Sequence, residues 1–175
     1  LSPILSAMFA NSPLKGARFS GYLSRRAYIW THTAPERTGI IPSVFDPHFD
    51  FSAYTRYALN VPLLFIVRKE RWAAVKGMTF GQFLKRGYRG LRATPADWEL
   101  HLTSIFTEVR LKKYIEIRCL DCQGTEMGLA AAALLKGLFY DDLARRGALN
   151  LVAGMKATEM DRLRRMAPLR GLKTP

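Results

Sequence analysis

Acidic residues are scarce: 14 Asp and Glu stand against 27 Lys and Arg among 175 residues, for a formal net charge of +13 that needs a physical explanation. Cysteine is scarcer still. Cys119 and Cys122, three positions apart, are too few for a disulfide framework and point to a reducing, cytoplasmic compartment. The longest apolar run, Leu129 to Leu135, falls far short of the ~20 residues of a membrane-spanning helix. No charged segment followed by an apolar one opens the chain, so neither a membrane partner nor secretion is expected. Internal repeats and Gly/Ser or Pro linkers are lacking, so the chain reads as one unit. The motifs G-x-G-x-x-G, Walker A, G-x-S-x-G and H-E-x-x-H are missing too, which removes several enzyme classes as motif-based readings. The first residue is Leu rather than Met, as expected of a piece of a longer chain.

What is present is the material of a folded domain. Hydrophobic residues make up 49% and charged residues 23%, which excludes disorder as the main state. A fold of this length buries roughly 68–70% of the surface its unfolded chain exposes, enough for one self-sufficient core.

Local signals give an order of elements. Ile4 to Phe9 predicts a short helix ending at Asn11-Ser12-Pro13, followed by a Gly-rich loop to Gly21. Tyr22 to Trp30 is rich in aromatic and β-favouring residues, and Thr31 to Pro47 reads as an ordered loop. Phe51, Tyr54, Ala58 and Leu59 recur at helical spacing before Pro62. Leu63–Val67 and Trp72–Val75 flank Arg68-Lys69-Glu70-Arg71 as a β-hairpin. Thr79 with Gln82 forms a capping box closed by Gly87, and Thr94-Pro95 with Asp97 announces another helix start. Val109 to Arg118 alternates as one strand. Glu126 to Tyr140 is apolar nearly all round, as a buried helix would be, and Asp141 to Gly147 continues or restarts it. A last helix covers Thr158 to Met166, before Pro168. Helices and antiparallel-looking strands without a βαβ rhythm give an α+β class.

Chemistry concentrates in the alternating strand. Leu111, Ile115 and Ile117 face one way and Arg110, Lys112, Tyr114, Glu116 and Arg118 the other. Same-face neighbours in a strand lie ~7 Å apart, so Arg and Lys can hold an anion while Glu116 ligates a hard cation, as phosphate with magnesium requires. The competing reading is an amphipathic strand whose charged face is solvated; if the strand is central, that face lines a cavity. If Tyr22 to Trp30 is extended, Arg26 shares a face with Tyr22, Ser24, Tyr28 and Trp30 and can clamp a carboxylate between aromatic walls, or simply stack on them at the surface. Cys119 and Cys122 lack the four-ligand set of structural zinc and read as ordinary thiols. Basic clusters at Lys85-Arg86, Arg89 and Arg92, Arg145-Arg146, and Arg162, Arg164 and Arg165 lie on separate elements and would bind a polyanion only if they converge.

Longer strings resemble a known family. Met8-Phe9-Ala10-Asn11-Ser12-Pro13, Gly21-Tyr22-Leu23-Ser24 with Arg26, Ile29-Trp30-Thr31 and Arg37-Thr38-Gly39 are similar to the plant-type and proteobacterial glutamate-cysteine ligases. So are Val61-Pro62, Gly77-Met78-Thr79-Phe80, Asp97-Trp98-Glu99, Glu108 to Lys112, Gly137-Leu138 with Tyr140-Asp141, and Gly171-Leu172-Lys173-Thr174-Pro175. The resemblance runs end to end.

It implies a glutamine synthetase-like catalytic fold, an antiparallel sheet flanked by helices, of which residues 1–175 are the C-terminal portion without the N-terminal half. It implies ATP-dependent ligation of the glutamate γ-carboxylate to cysteine through a γ-glutamyl phosphate, the first step of glutathione synthesis, with ATP and Mg2+ as cofactors. Such chemistry is positioning and charge stabilisation. By the resemblance Glu116 is the metal ligand, Arg118 and Lys112 serve catalysis, and Arg26, Trp30 and Arg110 bind substrate. Leu64 stands where the family has Tyr, Thr125 where it has Trp, and His32 where it has Asp. Leu64 and Thr125 thus mark an acceptor pocket for cysteine or another amine. On this reading the segment alone is inactive, nucleic acid is not an expected partner, and a homodimer is an assembly to test. The alternatives are a basic polyanion- or RNA-binding module and a non-catalytic relic of the ligase fold.

Overall fold

In the computed structural model, which describes residues 1–175, helices and very short strands follow one another. The helices are α1 (Ser2–Met8), α2 (Arg25–Thr31), α3 (Phe51–Asn60), α4 (Phe80–Arg86), α5 (Pro95–Thr103), α6 (Thr125–Tyr140), α7 (Asp142–Val152) and α8 (Ala157–Arg170). The strands are β1 (Leu14–Lys15), β2 (Arg18–Phe19), β3 (Thr38–Gly39), β4 (Phe65–Arg68), β5 (Arg71–Ala74), β6 (Phe106–Thr107), β7 (Val109–Leu111) and β8 (Ile115–Ile117). β1–β2, β4–β5 and β7–β8 are antiparallel pairs, and β3–β6 is parallel. The class is α+β. The expected antiparallel sheet is present as four two-stranded pieces, one of them parallel. No helix is long and apolar enough to cross a membrane.

Two compact units emerge: residues 1–33 with 119–175, and residues 34–118. The second unit has two adjoining cores. Ile41, Tyr54, Ala58, Val61 and Ile105 form one, and Leu63, Ile66, Val75, Phe80 and Phe83 the other, with Trp98 packed against both. Each Val, Leu, Ile or Phe side chain among them contributes about 1.5–3 kcal/mol on leaving water. Helix starts follow the caps expected from sequence: Thr79 with Gln82 on α4 and Thr94 with Asp97 on α5 are complete capping boxes. Gly87 closes α4 at φ 73, where a Cβ would meet the Leu91 carbonyl oxygen at 2.5 Å.

Several buried polar side chains of this unit bond to the backbone. The Arg37 guanidinium, fully buried, donates to the Ser104 carbonyl (3.1 Å) and the Pro62 carbonyl (2.7 Å). His101 donates from Nε2 to the Ala58 carbonyl (2.8 Å) and stacks on Phe80. Arg68 grips Asp97 through two bonds of 2.6 and 2.7 Å, tying the β4–β5 hairpin to the start of α5.

In the first unit α1 and α2 pack on α8, and the Pro168 carbonyl accepts from the Leu23 and Ser24 amides. Here lie several corrections. Residues 22–30 are not extended: Ser24 caps α2 by accepting from the Ala27 amide, and that cap overrides β propensity. The loop before Gly21 contains the β1–β2 ribbon, and the stretch to Pro47 contains β3 and a 3-10 turn at Pro42–Phe45. α8 runs through Pro168 to Arg170 rather than ending before it; the ring is buried, and its packing offsets the missing amide. Asp141 caps α7, so the chain restarts there. Finally α6 is not a buried helix. Only Ala131 is buried, while Leu129, Phe139 and Tyr140 are exposed, because within this unit the helix packs mainly on α7 along one side.

Candidate functional site

Val109 to Arg118 is a hairpin, not a single strand. Leu111 pairs with Ile115, and the chain turns through Lys112, Lys113 and Tyr114. Antiparallel pairing places register partners on one face, so Arg110 and Glu116 still meet as same-face neighbours. Glu116 Oε2 accepts from Arg110 Nε (2.9 Å) and Nη2 (2.6 Å), and Oε1 accepts from Arg118 Nη1 (2.9 Å). Burial works to raise the Glu116 carboxyl, but the hydrogen bonds and charges of Arg110 and Arg118 outweigh it and hold it below the usual carboxylate value.

The two arginines differ. Arg110 is buried and spends Nη1 on the Thr103 and Ile105 carbonyls, so four of its five N–H donors are engaged inside the protein. It is above all a tether. Arg118 has its guanidinium 5.5 Å from the Phe106 ring and remains 19% exposed, the more accessible cation of the pair. Lys112 stands apart from this network, in the turn, with its ammonium 5.5 Å from the Tyr114 ring. The cavity expected beside the charged row lies on the other side of the ribbon. Leu111 and Ile115 with Ile41, Phe49, Phe51 and Tyr54 line an apolar groove of about 450 Å³. Alternation sends the apolar side chains, not the arginines, toward it.

Arg26 and Trp30 lie on α2, four residues apart. Four positions are an even step in a strand and about one turn of a helix, so the pair shares a face in either conformation. Tyr22 stacks on Tyr28 at 4.0 Å, but Tyr28, two positions from Arg26, falls on the opposite side of the helix, so the aromatic walls expected around Arg26 reduce to Trp30. Arg26 lies 3.9 Å from the carboxylate of Asp121, whose side chain is buried. Asp121 has no motif around it and meets partners about a hundred residues away, so nothing in the local sequence marks it.

Leu64 lies just before β4 and is exposed, with its carbonyl accepting from the Val75 amide. Thr125 is the first residue of α6 and is also exposed. His32 ends α2 and packs against Tyr28. As a test of a magnesium centre, three N–H bonds occupy three of about four lone-pair directions on Glu116, leaving one for a metal. No three His, Cys, Asp or Glu side chains gather to hold an ion. The residues of this chain therefore offer one ligand and do not by themselves fit a metal centre. Cys119 is buried and Cys122 exposed, and neither is in a disulfide.

A family profile described as Glutamate-cysteine ligase family 2 (GCS2) matches residues 1–174. The chain is 44% identical over 178 residues to the chloroplastic glutamate–cysteine ligase of Arabidopsis thaliana, covering 100% of this chain and 34% of that protein. Identity is 44% to the Brassica juncea protein and 42% to that of Nicotiana tabacum, with 35% and 34% of their lengths covered. The chain thus spans about a third of the length of these relatives. Their names overturn the cytoplasmic location expected from the cysteine content, since each is called chloroplastic.

Proposed function

The chain belongs to glutamate-cysteine ligase family 2, and on that premise we propose that the protein carrying it joins the γ-carboxyl of glutamate to the amino group of cysteine with ATP, giving γ-glutamylcysteine. The observation that carries this reading is the end-to-end match at 44% identity to proteins named for that reaction. In the proposed sequence the γ-phosphoryl group of ATP passes to the carboxylate and ADP leaves. The amine then attacks the acyl carbon, loses a proton and expels phosphate.

The geometry supports roles for individual residues. Arg26 can receive a substrate carboxylate with Trp30 as an apolar wall. Arg118, held by Glu116 and partly exposed, can face a phosphoryl group whose charge it balances. Lys112 is a further cation for anionic substrate, and Arg110 keeps the Glu116 carboxylate in place. Magnesium, if bound by the whole protein, takes one ligand from Glu116 and the others from outside residues 1–175. Leu64 and Thr125 face the acceptor choice. We further propose that the chain is the C-terminal portion of a catalytic domain of glutamine synthetase-like fold.

The test is phosphate release by the full-length protein with ATP and magnesium, supplied with glutamate and each amino acid as acceptor. Release that requires glutamate and an acceptor together supports the ligase. Absence of acceptor dependence across the whole set sinks it.

A further inference from the structure

Beneath the Arg26 arm sits a buried carboxylate with no role in the scheme above. The Asp121 side chain is 1% exposed, against 34% for Arg26. Its Oδ2 accepts from the Asn11 amide (2.8 Å) and the Ser12 hydroxyl (2.8 Å), and its Oδ1 from the Ser24 hydroxyl (3.0 Å). A buried carboxylate is tolerated only when hydrogen-bonded or paired, and this one is both.

The two serines pass the order onward. With their protons committed to Asp121, both hydroxyl oxygens turn lone pairs toward α2: Ser12 Oγ accepts from the Arg26 amide (3.0 Å) and Ser24 Oγ from the Ala27 amide (3.1 Å). The backbone of the residue that carries the guanidinium is therefore set through Ser12, and the helix start through Ser24. The guanidinium itself feels the Asp121 charge at 3.9 Å, an attraction too long to be a hydrogen bond.

We propose that Asp121 is the positioning residue of Arg26, fixing the orientation in which Arg26 meets the carboxylate of glutamate. This rests on the ligase reading, which makes glutamate the ligand of Arg26. A bidentate clamp works only when the fork is held in place, so loss of the holder weakens substrate capture more than turnover.

The experiment uses the full-length protein. In Asp121→Asn an amide proton replaces an acceptor, and a serine donor then faces a donor. The KM for glutamate should rise about tenfold, with kcat and the KM for ATP within about twofold of wild type. Ser12→Ala, a smaller change that keeps the Asp121 carboxylate but cuts its link through the Ser12 hydroxyl to the Arg26 amide, should raise the same KM about threefold, and decides the matter if Asp121→Asn does not fold. Adding Asp121→Asn to Arg26→Lys should cost less than about twofold beyond Arg26→Lys alone, since a holder has nothing left to hold. An unchanged glutamate KM in the folded variants, a loss confined to kcat, or fully multiplicative effects would overturn the proposal while wild-type turnover leaves the ligase standing. A wild-type protein without acceptor-dependent turnover removes both.

Discussion

Arg110 and Glu116 are register partners across the β7–β8 ribbon, joined by two N–H···O bonds to one carboxylate oxygen while Arg118 takes the other. Removing the charge between them leaves two cations facing each other, one of them buried. Glu116→Gln should therefore lower unfolding free energy by about 2 kcal/mol in chemical denaturation. It should also lower ligase turnover at least tenfold, roughly, because Arg118 loses its anchor.

The same carboxyl makes stability fall in acid. Its folded value lies below the ordinary 4.5, and that of Asp97, where burial is outweighed by Arg68 and Thr94, lies below 3.8. A depressed carboxyl contributes stability that is complete above its unfolded value and is lost as pH falls through the folded one. Denaturation midpoints should drop as pH is lowered from about 5 to 3, and Glu116→Gln should flatten the upper part of that drop. Equal slopes in the two proteins would contradict the pairing.

His101 acts in a milder range. Burial lowers its value below 6.5 against the raising effect of its bond to Ala58, and nearby Arg37 lowers it further. With Nε2–H donating to Ala58, protonation must occur at Nδ1, which is buried and without a partner. The unfolded chain then binds more protons below pH 6.5, so stability falls with pH from that value downward. His101→Gln should remove this slope in denaturation curves while costing about 1 kcal/mol at neutral pH.

The β4–β5 turn carries removable strain. Arg68 pairs with Arg71, so Lys69 and Glu70 form a two-residue loop, and their φ values of 45 and 63 lie in the left-handed region. Such turns favour Asn-Gly, and side-chain-bearing residues there cost about 1 kcal/mol or more each. Replacing Lys69 by Asn and Glu70 by Gly should raise the thermal midpoint; an unchanged or lower midpoint would count against strain in this turn.

Acceptor choice should follow Leu64 and Thr125. On the proposed ligase reading, Leu64→Tyr and, separately, Thr125→Trp should each raise kcat/KM for cysteine relative to competing amines by about tenfold or more if the position contributes to the acceptor pocket. A ratio that stays constant would place that pocket elsewhere.

Legibility in the sequence followed the range of the interaction. The capping boxes of Thr79 and Thr94 are written within four residues and appear where expected. Arg26 and Trp30 kept a common face although their segment proved helical, because a spacing of four suits both periods. The hairpin at Lys112–Tyr114 was hidden: it contains no Gly, Pro, Asn or Asp to signal a turn. The exposure of α6 could not be read either, since an apolar composition states what a helix can bury and not what meets it. Asp121 joins residues about a hundred positions apart, beyond any local pattern.

The most direct measurement is the identity of the product. The full-length protein is incubated with ATP, magnesium, glutamate and cysteine, and the mixture analysed by mass spectrometry. The expected result is γ-glutamylcysteine formed in step with ADP and phosphate, and lost when glutamate or cysteine is left out. ATP consumption without any γ-glutamyl amine, under every acceptor supplied, would contradict it.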